Sequence, residues 1–503
     1  GHSLHAISKG RIICLDRDDL VENVVMVAMS KKYWLDKFHM PKNCLDVLAQ
    51  HLVGMACEKK WDINEAYELV KRAYPFKDLS FEDFLNTLKY LAGYYHTLED
   101  HNVYGKIWLD LQENKFGRKK ASRVIYTLNV GTIPEEVKIK VKTLDGKFCG
   151  FIEEGFLERL NAGDIFVLGG KTYEFIKAIR DIAYVKEVKE KKPTIPSWFS
   201  EQLPLNFDLA IEVGKFREKM FKMLEKKVSK KKIIEFLIKE YYCEKDVAEE
   251  IYDYFVLQYK FLKKHGVKKF PSHKVILVES FFDERGQNIV FHTLYGRRVN
   301  DALSRAYAYA LSKYLDKSIR VSISDNGFIL TIPYEEKIFG ILEKKKEKVS
   351  LEEVVSLVNS KNLEELVRNS LKNTELIKRK FRHVATRSFM ILRNYKGHEI
   401  SLEKQQLSAE RLIKIVHELG TDFPVLKETY REILEDFMDL PRAKEILEKI
   451  ENGEIEFEFL ESDVPSPFSH NLIAISESDV VLMEDRRKLI LKLYKKVLKK
   501  IES

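Results

Sequence analysis

Cysteine is scarce in this sequence, and the marks of a secreted or membrane-embedded protein are missing. The 503 residues contain 5 cysteines, none in a C-x-x-C pair, which excludes a disulfide framework and argues against a zinc ribbon. No apolar run reaches the roughly 18 residues of a membrane span, and the N-terminus lacks a signal-peptide pattern. These absences predict a cytoplasmic protein with no membrane partner.

Motifs of nucleotide hydrolysis and nucleophilic catalysis are also missing. Gly169-Gly170-Lys171-Thr172 matches only the end of a P-loop, because Ile165 stands where its first glycine belongs and strand-like sequence lies on both sides. G-x-S-x-G and H-E-x-x-H are absent, and His2 with His5 is a pair more often incidental than metal-binding. The sequence therefore predicts no catalytic residue, no metal site and no cofactor in this chain.

The sequence is long and strongly charged. At roughly 100 to 200 residues per domain, its length supports several domains. Lysine and arginine together number 86 against 78 acidic residues, for a net charge of +8, and 45% of residues are hydrophobic. Lysine (63) far exceeds arginine (23), and glutamine is rare (7), a bias similar to that of hyperthermophile proteomes. We expect a folded, multidomain protein from an archaeon or another thermophile.

The N-terminal quarter divides into two segments. Residues 1–38 contain one strand-like run and one helix, too little to close a domain, so they predict the trailing edge of a larger α/β unit. Residues 39–125 predict three helices followed by a hairpin, with Asp62 and Ser80 as the N-caps of the second and third helices. Its strands, at 107–109 and 124–126, would flank a basic turn at 115–120. Three helices and a hairpin are the order of a winged helix.

Four further segments follow along the chain. Residues 126–195 alternate with period two and predict a small β-barrel. Residues 196–269 predict a helical segment, 270–348 an α/β segment, and 349–503 a C-terminal helical region. The predicted fold class is α+β and predominantly helical, with a winged helix followed by a small β-barrel and helical domains.

Basic side chains are clustered, which favours nucleic acid as a partner. Candidate binding residues on the predicted wing are Arg118, Lys119, Lys120 and Arg123. A second cluster is Lys226–Lys232. Residues 484–503 hold eight basic residues against three acids. The apolar stripe of this last segment favours a surface helix with a solvated basic back.

A further candidate phosphate site lies where Gly296 precedes two arginines at a predicted helix start. Free backbone N–H groups, the helix dipole and guanidinium groups would converge on an anion there. The candidate residues are Arg297, Arg298, Asn300 and Arg305. The alternative is that Arg297 and Arg298 pair with carboxylates of the chain itself, namely Asp283, Glu284 or Asp301.

Two apolar side chains are candidates for contact with nucleic-acid bases. Trp198 follows Pro196 after a linker and is a candidate stacking platform, or else a plug for the end of the barrel. Ile133 lies between Gly131 and Pro134, which predict a stiff loop that projects it. It would act as a wedge between bases, or else cap the barrel core.

Several short segments follow one another along the chain: GHSLH at 1–5, LDVLAQH at 45–51, RAYP at 72–75, GTIPE at 131–135, PSW at 196–198 and FHTLYGRRVNDAL at 291–303. In this order they resemble the large helicase-related (Lhr) family of superfamily 2 helicases. The resemblance implies a C-terminal half that follows the end of helicase motif VI and lacks the first RecA-like domain and nearly all of the second. Its partners would be single-stranded and forked DNA, RNA:DNA hybrids and the missing RecA-like domains.

The family's activity implies what the parent protein does. Members couple ATP hydrolysis to 3′-to-5′ movement on single-stranded DNA, so ATP and Mg²⁺ would belong to the missing motor, and DNA repair or recombination is the expected process. This chain alone would grip and track DNA without hydrolysing ATP. Two alternatives are a glycosylase-like DNA-processing enzyme, which needs a base pocket with a carboxylate or amide beside it, and a protein-docking platform, which needs a contiguous exposed apolar patch on 349–503.

Overall fold

A computed structural model describes the chain apart from residues 1–9, 15, 135–137, 158–159, 161, 164, 169–170, 180–181, 189–202, 335–347, 373, 396, 477–482 and 503. The α-helices of the described residues are α1 (Arg17–Lys31), α2 (Leu45–Glu58), α3 (Ile63–Lys71), α4 (Phe81–Ala92), α5 (His96–Glu99), α6 (Ser122–Asn129), α7 (Glu154–Leu157), α8 (Phe207–Glu225), α9 (Lys230–Tyr241), α10 (Lys245–Lys264), α11 (Arg297–Leu315), α12 (Leu351–Ser356), α13 (Leu363–Leu371), α14 (Glu375–Arg387), α15 (Leu402–Glu418), α16 (Pro424–Arg431), α17 (Leu440–Glu451), α18 (His470–Ser476) and α19 (Met483–Glu502).

The strands are β1 (Trp61–Asp62), β2 (Ile107–Asp110), β3 (Lys115–Arg118), β4 (Lys138–Thr143), β5 (Phe148–Glu153), β6 (Ile165–Leu168), β7 (Lys171–Ile179), β8 (Ile182–Glu187), β9 (Val275–Phe282), β10 (Gly286–His292), β11 (Arg320–Ser324), β12 (Gly327–Pro333), β13 (Asn394–Tyr395), β14 (His398–Glu399) and β15 (Glu456–Glu461). None of the described helices is long and apolar enough to cross a membrane.

The chain folds into two compact units, and neither is continuous in sequence. The winged-helix unit comprises residues 38–197 and 371–437, and the α/β unit comprises 1–37, 198–370 and 438–503. The region 349–503, which the sequence predicts as one helical block, therefore contributes to both units.

The winged helix forms from α2, β1, α3, α4, β2 and β3, with the strands in the order β1-β3-β2. Its helices begin at capping residues that the sequence identified. Asp62 accepts from the backbone N–H groups of Asn64 and Glu65, and Ser80 accepts from that of Asp83. Leu48, Leu52 and Phe84 are fully buried in its core.

The predicted position of the wing was wrong by several residues. Residues 115–118 are not the turn but strand β3, and 122–129 form helix α6 instead of a strand. The turn lies at 111–114, because the Asp110 side chain accepts from the N–H groups of Gln112 and Glu113 and closes the chain there. Gly117 belongs to β3 because its missing side chain leaves room for the Trp108 ring.

The helices from residues 371–437 pack onto the winged helix within the same unit. Helices α14 and α16 contact α2, and α16 also contacts α4. Tyr90 of α4 donates to the Ser388 carbonyl at 2.9 Å, and its ring meets Phe423 edge-on. These helices therefore cover part of the winged helix that sequence order alone leaves open.

A small β-barrel is not observed, and the sequence expectation is corrected to an open five-stranded sheet. Its order is β5-β4-β8-β7-β6, with β4 parallel to β8 and the other pairs antiparallel. No ladder among the described residues joins β5 to β6, so the sheet forms half a barrel. Its concave core buries Ile139, Val141 and Phe166. Alternation predicts which face is buried but does not determine whether the sheet closes.

The α/β unit is built on a second five-stranded sheet, in the order β11-β12-β10-β9-β15. Strand β15 comes from a region predicted to be mostly helical, and it pairs parallel to β9 at the sheet edge. Helix α11 packs on this sheet through residues such as Leu303 and Tyr307. The edge pairing joins residues that are 181 positions apart, such as Glu456 and Val275, and a local sequence pattern does not predict it.

Helix α1 packs inside the α/β unit, against α8, α9 and α10. Its Val21, Val24 and Val25 lie in the same hydrophobic cluster as α8 and α10. Buried Asp18 accepts from the Arg217 guanidinium at 3.3 Å and from the Tyr254 hydroxyl at 3.0 Å. The strand-like run before it is not in a strand over residues 11–14.

Candidate nucleic-acid interface

Of the four basic residues predicted for the wing, Arg118 ends β3, Lys119 and Lys120 follow that strand, and Arg123 lies in the first turn of α6. All four are exposed. Arg118, Lys120 and Arg123 have no carboxylate partner among the described residues, whereas Lys119 donates weakly to the Ala92 carbonyl at 3.4 Å. Burial raises the pKa of the Cys57 thiol, while the nearby Arg123 and Arg118 oppose that rise. The two guanidinium groups therefore lie close to the end of α2 and leave their charge available to a ligand.

A buried lysine adds to the positive potential at this place. Lys106 is 7% exposed and donates to the Tyr104 carbonyl. Burial, together with the neighbouring charge of Lys119, lowers the pKa of Lys106 to about 8. An anion bound beside Lys119 would relieve this repulsion.

Apolar side chains continue the same exposed stretch of chain. Val124 is 56% exposed and Leu128 is 40% exposed on α6, and Ile133 is 84% exposed in the loop that follows. Ile133 thus contributes nothing to the described sheet core. We use the name wing–α6 surface for this set: Arg118, Lys119, Lys120, Arg123, Val124, Leu128 and Ile133.

The loop that carries Ile133 is held at its base. Gln50 of α2 donates to the Gly131 carbonyl and accepts from the Gly131 N–H, both at 3.0 Å. The Arg393 guanidinium also donates to that carbonyl, at 3.1 Å. Gly131 has φ +139°, and an added Cβ would come within 3.2 Å of the Arg393 guanidinium. Two anchors on one peptide unit restrict the loop just before the exposed isoleucine.

The recognition helix of the winged helix is a poor surface for phosphates. Helix α4 has Glu82 and Asp83 in its first turn, and Asp83 is paired with Lys427 of α16 at 2.6 Å. Acidic residues repel the DNA backbone. The end of β3 and the start of α6 are therefore a better surface for phosphates than α4.

The predicted phosphate site at α11 is filled by the protein itself. The Asp325 carboxylate accepts from the Leu205 N–H at 2.8 Å, the Arg297 N–H at 3.1 Å and the Arg297 guanidinium at 2.9 Å. Asp325 was not among the carboxylates suggested from the sequence. The helix N-terminus therefore has an internal anion and needs no external phosphate.

The other residues of that group also have internal partners. Arg298 donates to the Met438 carbonyl at 3.1 Å, and Arg305 pairs with Asp301 at 2.6 Å. Asn300 is fully buried and donates to three carbonyl groups, those of Thr293, Ser324 and Asp325. Trp198 and the Gly169-Gly170 pair lie outside the described residues, and Lys171 begins a strand where a P-loop requires a helix.

One group of carboxylates in the winged-helix unit lies close enough together to hold a cation: Asp46, Glu428 and Glu432. Arg387 bonds to both Asp46 and Glu432, and Arg431 bonds to Glu428. Burial and the nearby Asp46 raise the pKa of Glu428 to about 8. These arginines already neutralise the cluster, which joins α2 to α14 and α16.

A serine–histidine–glutamate arrangement is buried in the α/β unit. The Glu279 carboxylate lies 3.1 Å from His292 Nε2 and accepts from the Ser469 hydroxyl at 2.8 Å and the Ser466 N–H at 2.6 Å. All four residues are at most 3% exposed. A substrate has no access to the hydroxyl, so this network fastens residues 466–469 to β9. The buried carboxylates of Asp46, Glu279 and Glu428 all have hydrogen-bond partners within the chain. This argues against each of them as the catalytic carboxylate of a glycosylase.

Few large apolar side chains of residues 349–503 are exposed. Within the described part, they are Tyr395, Leu407, Phe437, Ile475 and Leu491. They come from five separate stretches of sequence, and none of these stretches contributes more than one, which does not favour the docking-platform alternative.

Comparisons with known proteins agree with this architecture. Residues 28–195 match the family described as "Large helicase-related protein, winged helix domain", and residues 270–469 match the family described as "DEAD/H associated". ATP-dependent helicase Lhr-Core protein 2 of Thermococcus barophilus is 48% identical over 499 residues, covering 99% of this chain and 55% of that protein. ATP-dependent helicase Lhr-Core of Saccharolobus solfataricus is 45% identical over 503 residues, again 99% and 55%.

Two more distant proteins also match, one by sequence and one by structure. Lhr helicase/uracil glycosylase of Escherichia coli is 26% identical over 503 residues, covering 97% of this chain and 31% of that protein. The structure of Mycobacterium smegmatis helicase Lhr bound to ssDNA and AMP-PNP superposes with a TM-score of 0.65 at 21% identity, covering 91% of this chain and 51% of that one.

These matches define a protein that combines a winged helix with a DEAD/H-associated region. The chain belongs to the large helicase-related (Lhr) family, of which it represents the C-terminal region. It spans about half the length of the archaeal relatives that it matches.

Proposed function

We propose that this chain is the DNA-gripping region of an ATP-dependent helicase, and that the wing–α6 surface binds single-stranded DNA. The observation that carries the proposal is the joint exposure of basic and apolar side chains on one stretch, residues 118–133. Single-strand binding sites combine a cationic track for the backbone with apolar or aromatic contacts to the bases. Duplex-reading winged helices rely instead on a basic recognition helix, and α4 is acidic at its start.

The two kinds of side chain have separate tasks. Arg118, Lys119, Lys120 and Arg123 hold phosphates and carry no sequence information. Ile133 wedges between bases, because its β-branched side chain has few rotamers to lose and its loop is anchored by Gln50 and Arg393. Trp198 adds a stacked base, an assignment that depends on its sequence context and the family resemblance.

In the parent protein this grip would serve strand separation. The proposed activity is 3′-to-5′ movement on single-stranded DNA with unwinding of forked duplexes and RNA:DNA hybrids, in DNA repair or recombination. ATP and Mg²⁺ would be bound by RecA-like domains of the parent protein. The relatives named as ATP-dependent helicases support this proposal.

The variant Ile133→Ala tests the wedge. In the parent helicase it should reduce strand separation more than DNA-dependent ATP hydrolysis. Because Ile133 is 84% exposed, the free energy of unfolding should change by about 0.5 kcal/mol or less. Leu144→Ala, which removes another exposed apolar side chain of the same unit, is the matched control and should leave both activities unchanged. A parallel loss of unwinding, ATPase and melting temperature would make Ile133 a packing residue.

A further inference from the structure

Two lysine clusters that are far apart in sequence meet at one end of the helical core of the α/β unit. Lys263 at the end of α10 pairs with Glu225 at the end of α8 at 3.6 Å. The next residue, Lys264, donates to the carbonyl groups of Lys500 at 2.5 Å and Ile501 at 3.4 Å, in the last turn of α19. The turn between α8 and α9 and the basic C-terminal helix thus contribute to one surface.

We call this region the lysine surface and define it by Lys226, Lys227, Lys231, Lys232, Lys264 and Lys499. Its neighbours are paired: Lys230 with Asp253 at 3.0 Å, and Lys500 with Asp463 at 2.9 Å. In contrast, the side chains of Lys226, Lys227, Lys231, Lys232 and Lys499 are exposed and make no ion pair or hydrogen bond within the described part of the chain. The surface therefore carries charge beyond what its own carboxylates balance.

Helix dipoles account for only part of this charge. Lys226, Lys264 and Lys499 lie at the C-terminal ends of helices, where a cation is stabilised. Lys231 and Lys232 lie in the first turn of α9, where the dipole opposes a cation and the turn itself contains no acidic residue. Those two lysines raise the energy of the free protein, and a polyanion at this surface would lower it.

The surroundings of the lysines distinguish between kinds of nucleic acid. None of the large exposed hydrophobic side chains falls within residues 225–232, 260–269 or 495–501, all of which are described. Single-strand sites add stacking side chains to their cations, as the wing–α6 surface adds apolar ones. A duplex keeps its bases stacked inside and offers phosphates to a surface of this composition.

We propose that the lysine surface binds the phosphate backbone of duplex DNA, as a second contact separate from the single-strand grip. The inference goes beyond the proposed function and rests on it only in taking DNA as the ligand. It gives the α/β unit a role in holding the duplex part of a forked substrate while the other unit holds a single strand.

The test compares the intact chain with the fourfold variant Lys226→Gln, Lys227→Gln, Lys231→Gln, Lys232→Gln. Affinities for a blunt 20-base-pair duplex and a 20-nucleotide single strand are measured as functions of salt concentration. Each lost phosphate contact makes the duplex slope of log affinity against log salt shallower by about 0.9. We expect a change of about 2 to 3.6 in that slope and an unaltered single-strand slope. Over a fourfold rise in salt, the intact chain should then lose about 16- to 150-fold more duplex affinity than the variant.

The control is Lys239→Gln, Lys245→Gln, Lys313→Gln, Lys361→Gln, four exposed lysines of the same unit away from the surface, which give the same net charge. Equal effects of the two fourfold variants would overturn the proposal, as would equal losses for duplex and single strand, or no loss at all. Failure of the proposed function is distinguishable, because it would appear as an unchanged single-strand affinity when Arg118, Lys120 and Arg123 are neutralised. Melting temperatures confirm that each variant is folded.

Discussion

Neutralising the wing–α6 cations should weaken single-strand binding by an amount that can be calculated from the structure. The triple variant Arg118→Gln, Lys120→Gln, Arg123→Gln removes the three exposed cations that have no partner among the described residues. Since no carboxylate competes for them, each is free to neutralise one phosphate. Lys119 is left in place because it already donates to the Ala92 carbonyl.

The magnitude follows from counterion release. On single strands each phosphate contact contributes about 0.7 to the slope of log affinity against log salt, so three contacts predict a slope shallower by about 2. Over a fourfold rise in salt, from about 50 to 200 mM, the parent chain should lose about 16-fold more affinity than the variant. Folding should be little affected, because all three side chains are exposed.

The assay is a salt titration of fluorescence anisotropy with labelled oligonucleotides of different sequence. All sequences should weaken about equally, since phosphate contacts do not read bases. The matched control is Lys404→Gln, Arg411→Gln, Lys414→Gln on α15 of the same unit, whose side chains are also exposed. A slope that changes equally in the control, or not at all in the triple variant, would refute the assignment of this surface.

Three further predictions concern stability and stacking. Glu279→Gln should lower the free energy of unfolding by about 3 to 5 kcal/mol, because it leaves His292, Ser466 and Ser469 without their shared buried carboxylate. Chemical denaturation measures this loss. The control is Glu461→Gln, at an exposed ion pair with Lys348, which should cost under about 1 kcal/mol. Burial lowers the pKa of His470 to about 4. Below the unfolded pKa of about 6.5, the unfolded chain binds a proton at this residue and the folded chain does not. The free energy of unfolding should therefore fall by about 1.4 kcal/mol per pH unit as pH decreases from about 6.5 toward 4. His470→Gln should therefore flatten the loss of melting temperature between pH 6.5 and 4.5, and an unchanged profile would contradict the buried neutral histidine. Trp198→Ala should weaken single-strand binding by about 1 to 3 kcal/mol with little change in melting temperature, whereas a large drop in melting temperature with intact binding would identify a core residue.

The winged helix was predictable from the sequence because its signals are local. Asp62 and Ser80 cap α3 and α4 where the sequence places them, and the apolar spacing of α2 corresponds to its buried face. The wing was misplaced because Val124-Ile125-Tyr126 has the composition of a strand. In the folded protein, Ser122 bonds to the Lys106 carbonyl and the chain turns into α6 instead. Tertiary contacts override the modest strand propensity of such a short run.

The phosphate site at α11 shows how a correct local inference can lead to an incorrect ligand. The sequence identified a helix N-terminus with arginines that requires an anion, and the structure contains that anion. It is Asp325, from a hairpin turn 28 residues away from Arg297. No spacing rule indicates which of the chain's many carboxylates reaches this point.

The sequence by itself determined the features that depend on residues close together in the chain. These are the capped helices, the inward face of each strand, the basic stretch that begins at the end of β3, and the projecting Ile133 between Gly131 and Pro134. What only the tertiary structure decided are the features that join distant residues: the open edge of the half-barrel sheet, the parallel pairing of β15 with β9, and the helices that cover α4. The lysine surface, where α10 meets α19, belongs to the same group. The physical reason is that helices and turns are stabilised by neighbours in sequence, whereas edge pairing, burial and charge balance depend on which remote segment arrives.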